Sequence, residues 1–163
     1  YVEIDRPAED VEKVIDKYFG KNGLLYAKKY YEELSKLPAY GDFDIIGHFD
    51  LITKHCDNHN FFDMNSEEYL SYALGCAKKL SGKIPFFEVN TGAIARGYRL
   101  TPYPSIPIIK EMKRLGFGVV ISSDCHNAKD LTCCFKEAEE LLRSCGYKEH
   151  YVLTKEGFKA VEF

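Results

Sequence analysis

The sequence predicts an α/β protein with a mostly parallel sheet, and three observations predict it. Apolar runs of strand length at 43–50, 84–90 and 117–123 alternate with segments of helical period. The apolar cores of these runs are continuous, as expected of strands covered on both faces. Each run finishes in polar residues, at the strand end where parallel α/β proteins collect their chemistry.

The elements follow in order. Residues 8–19, "AEDVEKVIDKYF", space Val11, Val14, Ile15, Tyr18 and Phe19 for one helix face after a Pro7 start signal. Residues 22–37 predict a second helix through Leu24, Leu25, Ala27, Tyr31 and Leu34. "FDIIGHFD", 43–50, predicts a short buried strand. A helix over 66–81 starts with Asn65 as N-cap and Glu68 three residues on, a capping-box pattern. "IPFFEVN", 84–90, is the second strand, and a loop over 91–104 leads to a helix at 105–115. "FGVVISS", 117–123, is the third strand, followed by a helix at 130–145 that Gly146 stops. "HYVLT", 150–154, predicts a fourth strand. No linker or repeat interrupts the chain, so 1–163 reads as one domain. Three or four strands fall short of a closed eightfold barrel, which takes roughly 200 residues or more. The sheet is therefore either open or part of a barrel.

Composition limits the partners. With 163 residues, 45% of them hydrophobic, and a formal net charge of -3, the chain can bury one core and offers no basic face for nucleic acid. No apolar run reaches membrane-span length and no signal pattern opens the chain, so no membrane partner is expected and a cytoplasmic location is. A chain opening on Tyr1 rather than Met is expected to have had sequence upstream. The six cysteines lack C-x-x-C spacing and are expected to be reduced, mostly buried thiols. Cys125 lies inside Asp-Cys-His, where a strand of period two would turn it away from its neighbours.

The strand ends carry the candidate chemistry: Gly47-His48-Phe49-Asp50, Glu88-Val89-Asn90-Thr91-Gly92 and Ser122-Ser123-Asp124-Cys125-His126. Alone, His48 reads equally as a histidine satisfied by a backbone carbonyl, and Asp124 with His126 as a strand-end cap pair. Together they read as metal ligands. An i, i+2 pair on a strand projects to one side, and the mixture of O and N donors suits Zn, Mn or Fe. Asn90 is expected to face the site, Glu88 to be a supporting acid, and Asp50 to orient His48 or cap the next segment. His55 and His59 have the i, i+4 spacing of a helical metal motif, but "KHCDNHN" is too rich in Asn and Asp for a helix and predicts a polar loop. His150 reads as a surface residue. Arg96 and Arg99 lie in the loop between Gly92 and Pro104; each offers a planar fork of donors suited to phosphate oxygens.

"DIIGHFDLI", "FFEVNTGAIARGYRLTPYPS" and "VVISSDCHNAKD", in that order, resemble the C-terminal half of the polymerase and histidinol phosphatase (PHP) superfamily. More narrowly, they resemble its histidinol-phosphate phosphatases, over about residues 40–163. The resemblance implies an α/β fold that is the C-terminal part of a distorted (β/α)7, TIM-like barrel, with divalent ions in a trinuclear cluster. It implies that His48, Asp124 and His126 are metal ligands. It assigns substrate phosphate to an arginine after Asn-Thr-Gly, Arg96 before Arg99, with Asn90 beside it. Asp124, His126 and Arg96 are then the expected catalytic residues. The family's N-terminal His-x-His motif is absent from this sequence.

The implied reaction is hydrolysis of L-histidinol phosphate to L-histidinol and phosphate, a step of histidine biosynthesis, with this chain alone nearly inactive. Two alternatives stand beside it. One is a phosphoesterase of the same superfamily with another small substrate, and the other is a non-catalytic metal-binding or assembly module. Unpaired strand edges predict association, as a homo-oligomer or with the missing N-terminal half.

Overall fold

A computed structural model describes residues 3–163. Ala8–Phe19 (α1) buries Val11 and Ile15 and ends at Gly20, whose left-handed φ of 58° lets its N–H close onto the Ile15 carbonyl. Gly23–Leu34 (α2) is capped by the Asn22 side chain, which accepts from Leu25 N at 2.9 Å. It stops before the expected residue 37. Pro38 cannot continue an α-helix, and Leu37–Ala39 tighten into a 3-10 turn instead.

Three strands form a parallel sheet in the order β1-β2-β3: Ile45–Ile46 (β1), Phe86–Asn90 (β2) and Gly118–Ser122 (β3). Register pairs Ile46 with Phe87, Phe87 with Val119 and Val89 with Ile121. The first strand is far shorter than 43–50. Glu88 draws the chain away at its end by accepting His48 N at 2.7 Å, and His48 turns with φ 25°.

Glu67–Leu80 (α3) and Ile106–Arg114 (α5) connect the strands. Their apolar stripes, Tyr69, Ala73, Ala77 and Leu80 with Ile108, Ile109 and Met112, join Phe87, Val89 and Val119 in one core. At roughly 1.5–3 kcal/mol for each large side chain taken from water, this stripe explains why the sheet face is ordered. A buried hydrogen bond of 2.7 Å ties Tyr31 Oη of α2 to Tyr69 Oη of α3, and burial pushes both phenols well above their ordinary pKa. The cap of α3 is Ser66, whose Oγ accepts Tyr69 N at 3.2 Å, and not Asn65.

A four-residue turn of helix, Gly92–Ala95 (α4), replaces the expected loop after β2. The last helix, Phe135–Ser144 (α6), begins later than residue 130 because Ala128–Asp130 form a 3-10 turn. Gly146, at φ 91°, follows it as expected.

The fourth strand forms in the expected place. Glu149–Thr154 (β4) pairs antiparallel with Gly157–Glu162 (β5), a strand the sequence reading missed, in a separate two-stranded sheet. The connecting Lys155-Glu156 carries no Asn-Gly type turn signal, and the left-handed φ falls on Gly157 instead. The hairpin covers the amino-terminal ends of the strands: Tyr151 and Phe158 stack 4.8 and 4.4 Å from Phe86. Gly118 is obligatory there, since a Cβ would meet Phe86 Cδ1 at 2.5 Å.

All six cysteines are free, but only Cys76 and Cys145 are buried; the other four are half-buried, against expectation. Among the described residues, no helix is long and apolar enough to cross a membrane.

Candidate functional site

The carboxyl ends of the three parallel strands open into a cavity of about 680 Å³, within the range of small-molecule sites. His48 reaches it from the end of β1, Arg96 from the turn after β2, and Asp124 and His126 from the loop after β3. The three predicted metal ligands and the preferred arginine thus share one chamber.

Local hydrogen bonds explain how each is held. Glu88 Oε2 accepts both His48 N at 2.7 Å and Asn90 Nδ2 at 3.1 Å, fixing the ends of β1 and β2 together. Asn90 Oδ1 accepts Gly92 N at 2.9 Å and so starts α4, whose C-cap is Arg96. Asn90 therefore shapes the wall from behind; it does not line the cavity. Gly92 is needed because a Cβ would meet Arg96 Nη1 at 2.8 Å and overlap the Ser123 carbonyl oxygen.

Arg96 closes on Asp124 with two donors, Nη1 to the carbonyl at 2.7 Å and Nη2 to Oδ2 at 3.1 Å. His126 Nε2 stands 3.8 Å from the other carboxylate oxygen, Oδ1. The strand has ended by then, so period two does not produce this pairing. Asp124 sits at φ 45°, its N–H donating to Ser122 Oγ at 3.1 Å, and that bend brings the two side chains together. Cys125 is consequently not a spacer on a strand, and it is half-buried. Non-glycine residues at positive φ cost on the order of 1–3 kcal/mol and cluster at functional sites. Two of the four in the described residues are His48 and Asp124.

Arg99 lies elsewhere. It is 3% exposed, donating Nη1 to Thr53 Oγ1 and Nη2 to Thr101 Oγ1 at 3.2 Å, with its guanidinium over the Tyr103 ring. Asp57 Oδ2 is 3.5 Å from its Nε. That separation gives charge attraction without a hydrogen bond, and Nε is left without an acceptor. Asp50 neither orients His48 nor faces the cavity: its Oδ2 accepts Ser105 N at 3.0 Å, anchoring the start of α5. Burial pushes its carboxyl up to about 6, although nearby Arg99 pulls the other way.

Further lining of the cavity was missed. Lys54, His55, His59 and Tyr98 line it, with Asp5 and Arg6 from the segment before α1. His59 N donates to the His55 carbonyl at 2.8 Å, so the pair does sit on one helical turn, and the i, i+4 spacing was the signal. Lys54 Nζ lies 2.6 Å from Asp5 Oδ1 and 4.3 Å from the Tyr98 ring centre. The Lys54 hydrogen bond holds the Asp5 carboxyl below its ordinary pKa. His150 is not a plain surface residue either: it stacks 5.4 Å from Phe163, with a buried Nδ1 that has no partner.

The donor types fit a divalent cation, imidazole nitrogen with carboxylate oxygen. Asp124 and His126 present one side of such a site. Among the described residues, no three His, Cys, Asp or Glu side chains converge on a single point.

No family model matches the chain, and no curated protein matches it significantly. The fold is mixed α/β, with a three-stranded parallel sheet and a cavity at the strand carboxyl ends.

Proposed function

We propose that the chain is the C-terminal part of a PHP-type (β/α)7 barrel and belongs to a metal-dependent phosphomonoester hydrolase, with L-histidinol phosphate as the first substrate to test. The observation that carries the proposal is the meeting of His48, Arg96, Asp124 and His126 in one cavity. The rest of the lining supports it, since Arg6 and Lys54 add positive charge beside Asp5, and His55 and His59 add ring nitrogens that can bond phosphate oxygens.

In the proposed mechanism His48, Asp124 and His126 would hold divalent ions together with further ligands from the rest of the barrel. Bound ions of this kind lower the pKa of a water molecule and neutralise phosphoryl charge. The chain's own residues do the positioning. Arg96 offers its remaining N–H groups to phosphate oxygens while its hold on Asp124 fixes the carboxylate. Asp124 Oδ1, 3.8 Å from His126 Nε2, is placed to take a proton from the attacking water and return it to the leaving ester oxygen as its bond to phosphorus breaks. Glu88 and Asn90 tie the ends of β1 and β2 together without touching substrate.

The test is released phosphate across a panel of phosphomonoesters, with Zn, Mn or Fe supplied, for this chain alone and joined to a His-x-His-bearing N-terminal half. Activity is expected only in the joined protein and is expected to fall at least 100-fold in His48→Ala and Asp124→Ala. A joined protein that binds metal through these residues and releases no phosphate from any ester would overturn the proposal and leave a metal-binding module.

A further inference from the structure

Cys133 and Cys134 lie between β3 and α6, outside every role assigned above. Neighbouring side chains point to opposite faces on a strand and stand about 100° apart on a helix, so adjacent cysteines ordinarily keep their sulfurs apart. Here they meet. Cys134 takes a left-handed conformation, φ 58°, at the cap of α6, and the two Sγ atoms come within 3.5 Å. That backbone is strained for a residue with a Cβ, and the surrounding loop is pinned to sustain it. Thr91 Oγ1 donates to the Cys133 carbonyl at 2.7 Å, Ser123 Oγ to the Leu131 carbonyl at 2.8 Å, and Ala138 N to the Cys134 carbonyl at 3.0 Å. Both thiols are half-buried, so a small solute can reach them. Among the described residues no other two thiols are in contact.

We propose that Cys133 and Cys134 form a dithiol modification site that reacts with low-molecular-weight disulfides and closes to a disulfide between neighbouring residues. The Cys133 thiolate attacks one sulfur of the incoming disulfide, whose S–S bond breaks; a mixed disulfide forms on Cys133 and one thiolate leaves and takes up a proton. Cys134 then loses its proton and attacks Cys133 Sγ, expelling the second thiolate. Two protein thiols are oxidised, and one disulfide is reduced to two thiols. Burial, and then the hydrogen bond to Cys133, push the Cys134 thiol up from its ordinary pKa. The site is independent of the phosphatase reading. It lies against that cavity's wall all the same, because Thr91 immediately precedes α4 and Ser123 immediately precedes Asp124.

The test uses the chain itself. Reduced protein is incubated with oxidised glutathione, alkylated with iodoacetamide and digested with trypsin. Cleavage after Lys129 and Lys136 isolates residues 130–136, which contain both cysteines and no other. The expected product is that peptide two hydrogens lighter, unalkylated, and restored by dithiothreitol, with closure faster as pH rises. Cys134→Ser is expected to stop at glutathione on Cys133. The proposal is overturned if the wild-type peptide emerges doubly alkylated while the Cys125 peptide carries glutathione, or if it retains a stable glutathione adduct.

Discussion

Arg96 and Arg99 sit three residues apart with the same fork of donors, Arg96 preferred from the sequence, and the structure predicts opposite consequences for removing them. Arg99→Met leaves Thr53, Thr101 and Asp57 facing a thioether in the interior. The arginine is 3% exposed, and breaking a buried charge arrangement on one side costs about 3–5 kcal/mol. With a urea m-value of about 1–3 kcal/mol/M, the midpoint falls by roughly 1–5 M. Arg96→Gln removes a pair whose side chains are 28% and 39% exposed, so its stability effect is below about 1 kcal/mol. It also removes charge-assisted donors worth about 1.5–3 kcal/mol each to a bound anion, which weakens phosphate binding about 10- to 100-fold. Urea unfolding followed by circular dichroism and calorimetric titration with inorganic phosphate read both effects. The reasoning fails if Arg99→Met keeps its urea midpoint and loses phosphate, while Arg96→Gln binds as before.

Further outcomes follow from the same contacts. Phe87→Ala empties a fully buried position between β1 and β3 and is expected to destabilise the chain by about 3–5 kcal/mol, measured as a urea midpoint shift. Gly92→Ala forces Arg96 off Asp124 and is expected to weaken phosphate binding with the circular dichroism spectrum retained; unchanged affinity would count against the clamp. Asp50 has a folded pKa near 6 against 3.8 in the unfolded chain, so its ionised form opposes folding. Wild-type stability should therefore gain as pH falls from above 6 towards 4, by about 3 kcal/mol. In metal-free Asp50→Asn, which keeps the acceptor for Ser105 N, that gain should be missing; a constant difference from wild type across this range would refute it.

Much of this architecture was legible in the pattern. The helices announced themselves because amphipathic stripes such as Ile108, Ile109 and Met112 must cover a sheet, and the sheet's runs because Phe87, Val89 and Val119 are covered in turn. The polar strand ends His48, Asp124 and His126 meet at one cavity. What escaped were the long-range choices. Nothing local says that β4 will fold back on β5 rather than extend the parallel sheet. Nothing in the spacing of Arg96 and Arg99 says which one the core will swallow, since that depends on Thr53 and Asp57, more than forty residues away. The further lining of the cavity escaped for a different reason: Asn and Asp lower helix propensity, and a single helical turn at His55–His59 needs little of it.

The hairpin that seals the amino-terminal ends of the strands divides the molecule by tolerance to alteration. Its turn, Lys155-Glu156, is solvent-exposed and does not line the cavity that holds Arg96 and Asp124. A fluorophore, an affinity handle or a surface tether joined at that turn would report on or immobilise the protein without entering the chamber. The same attachment at the Asn127–Leu131 turn would sit on the loop that carries Asp124 and His126.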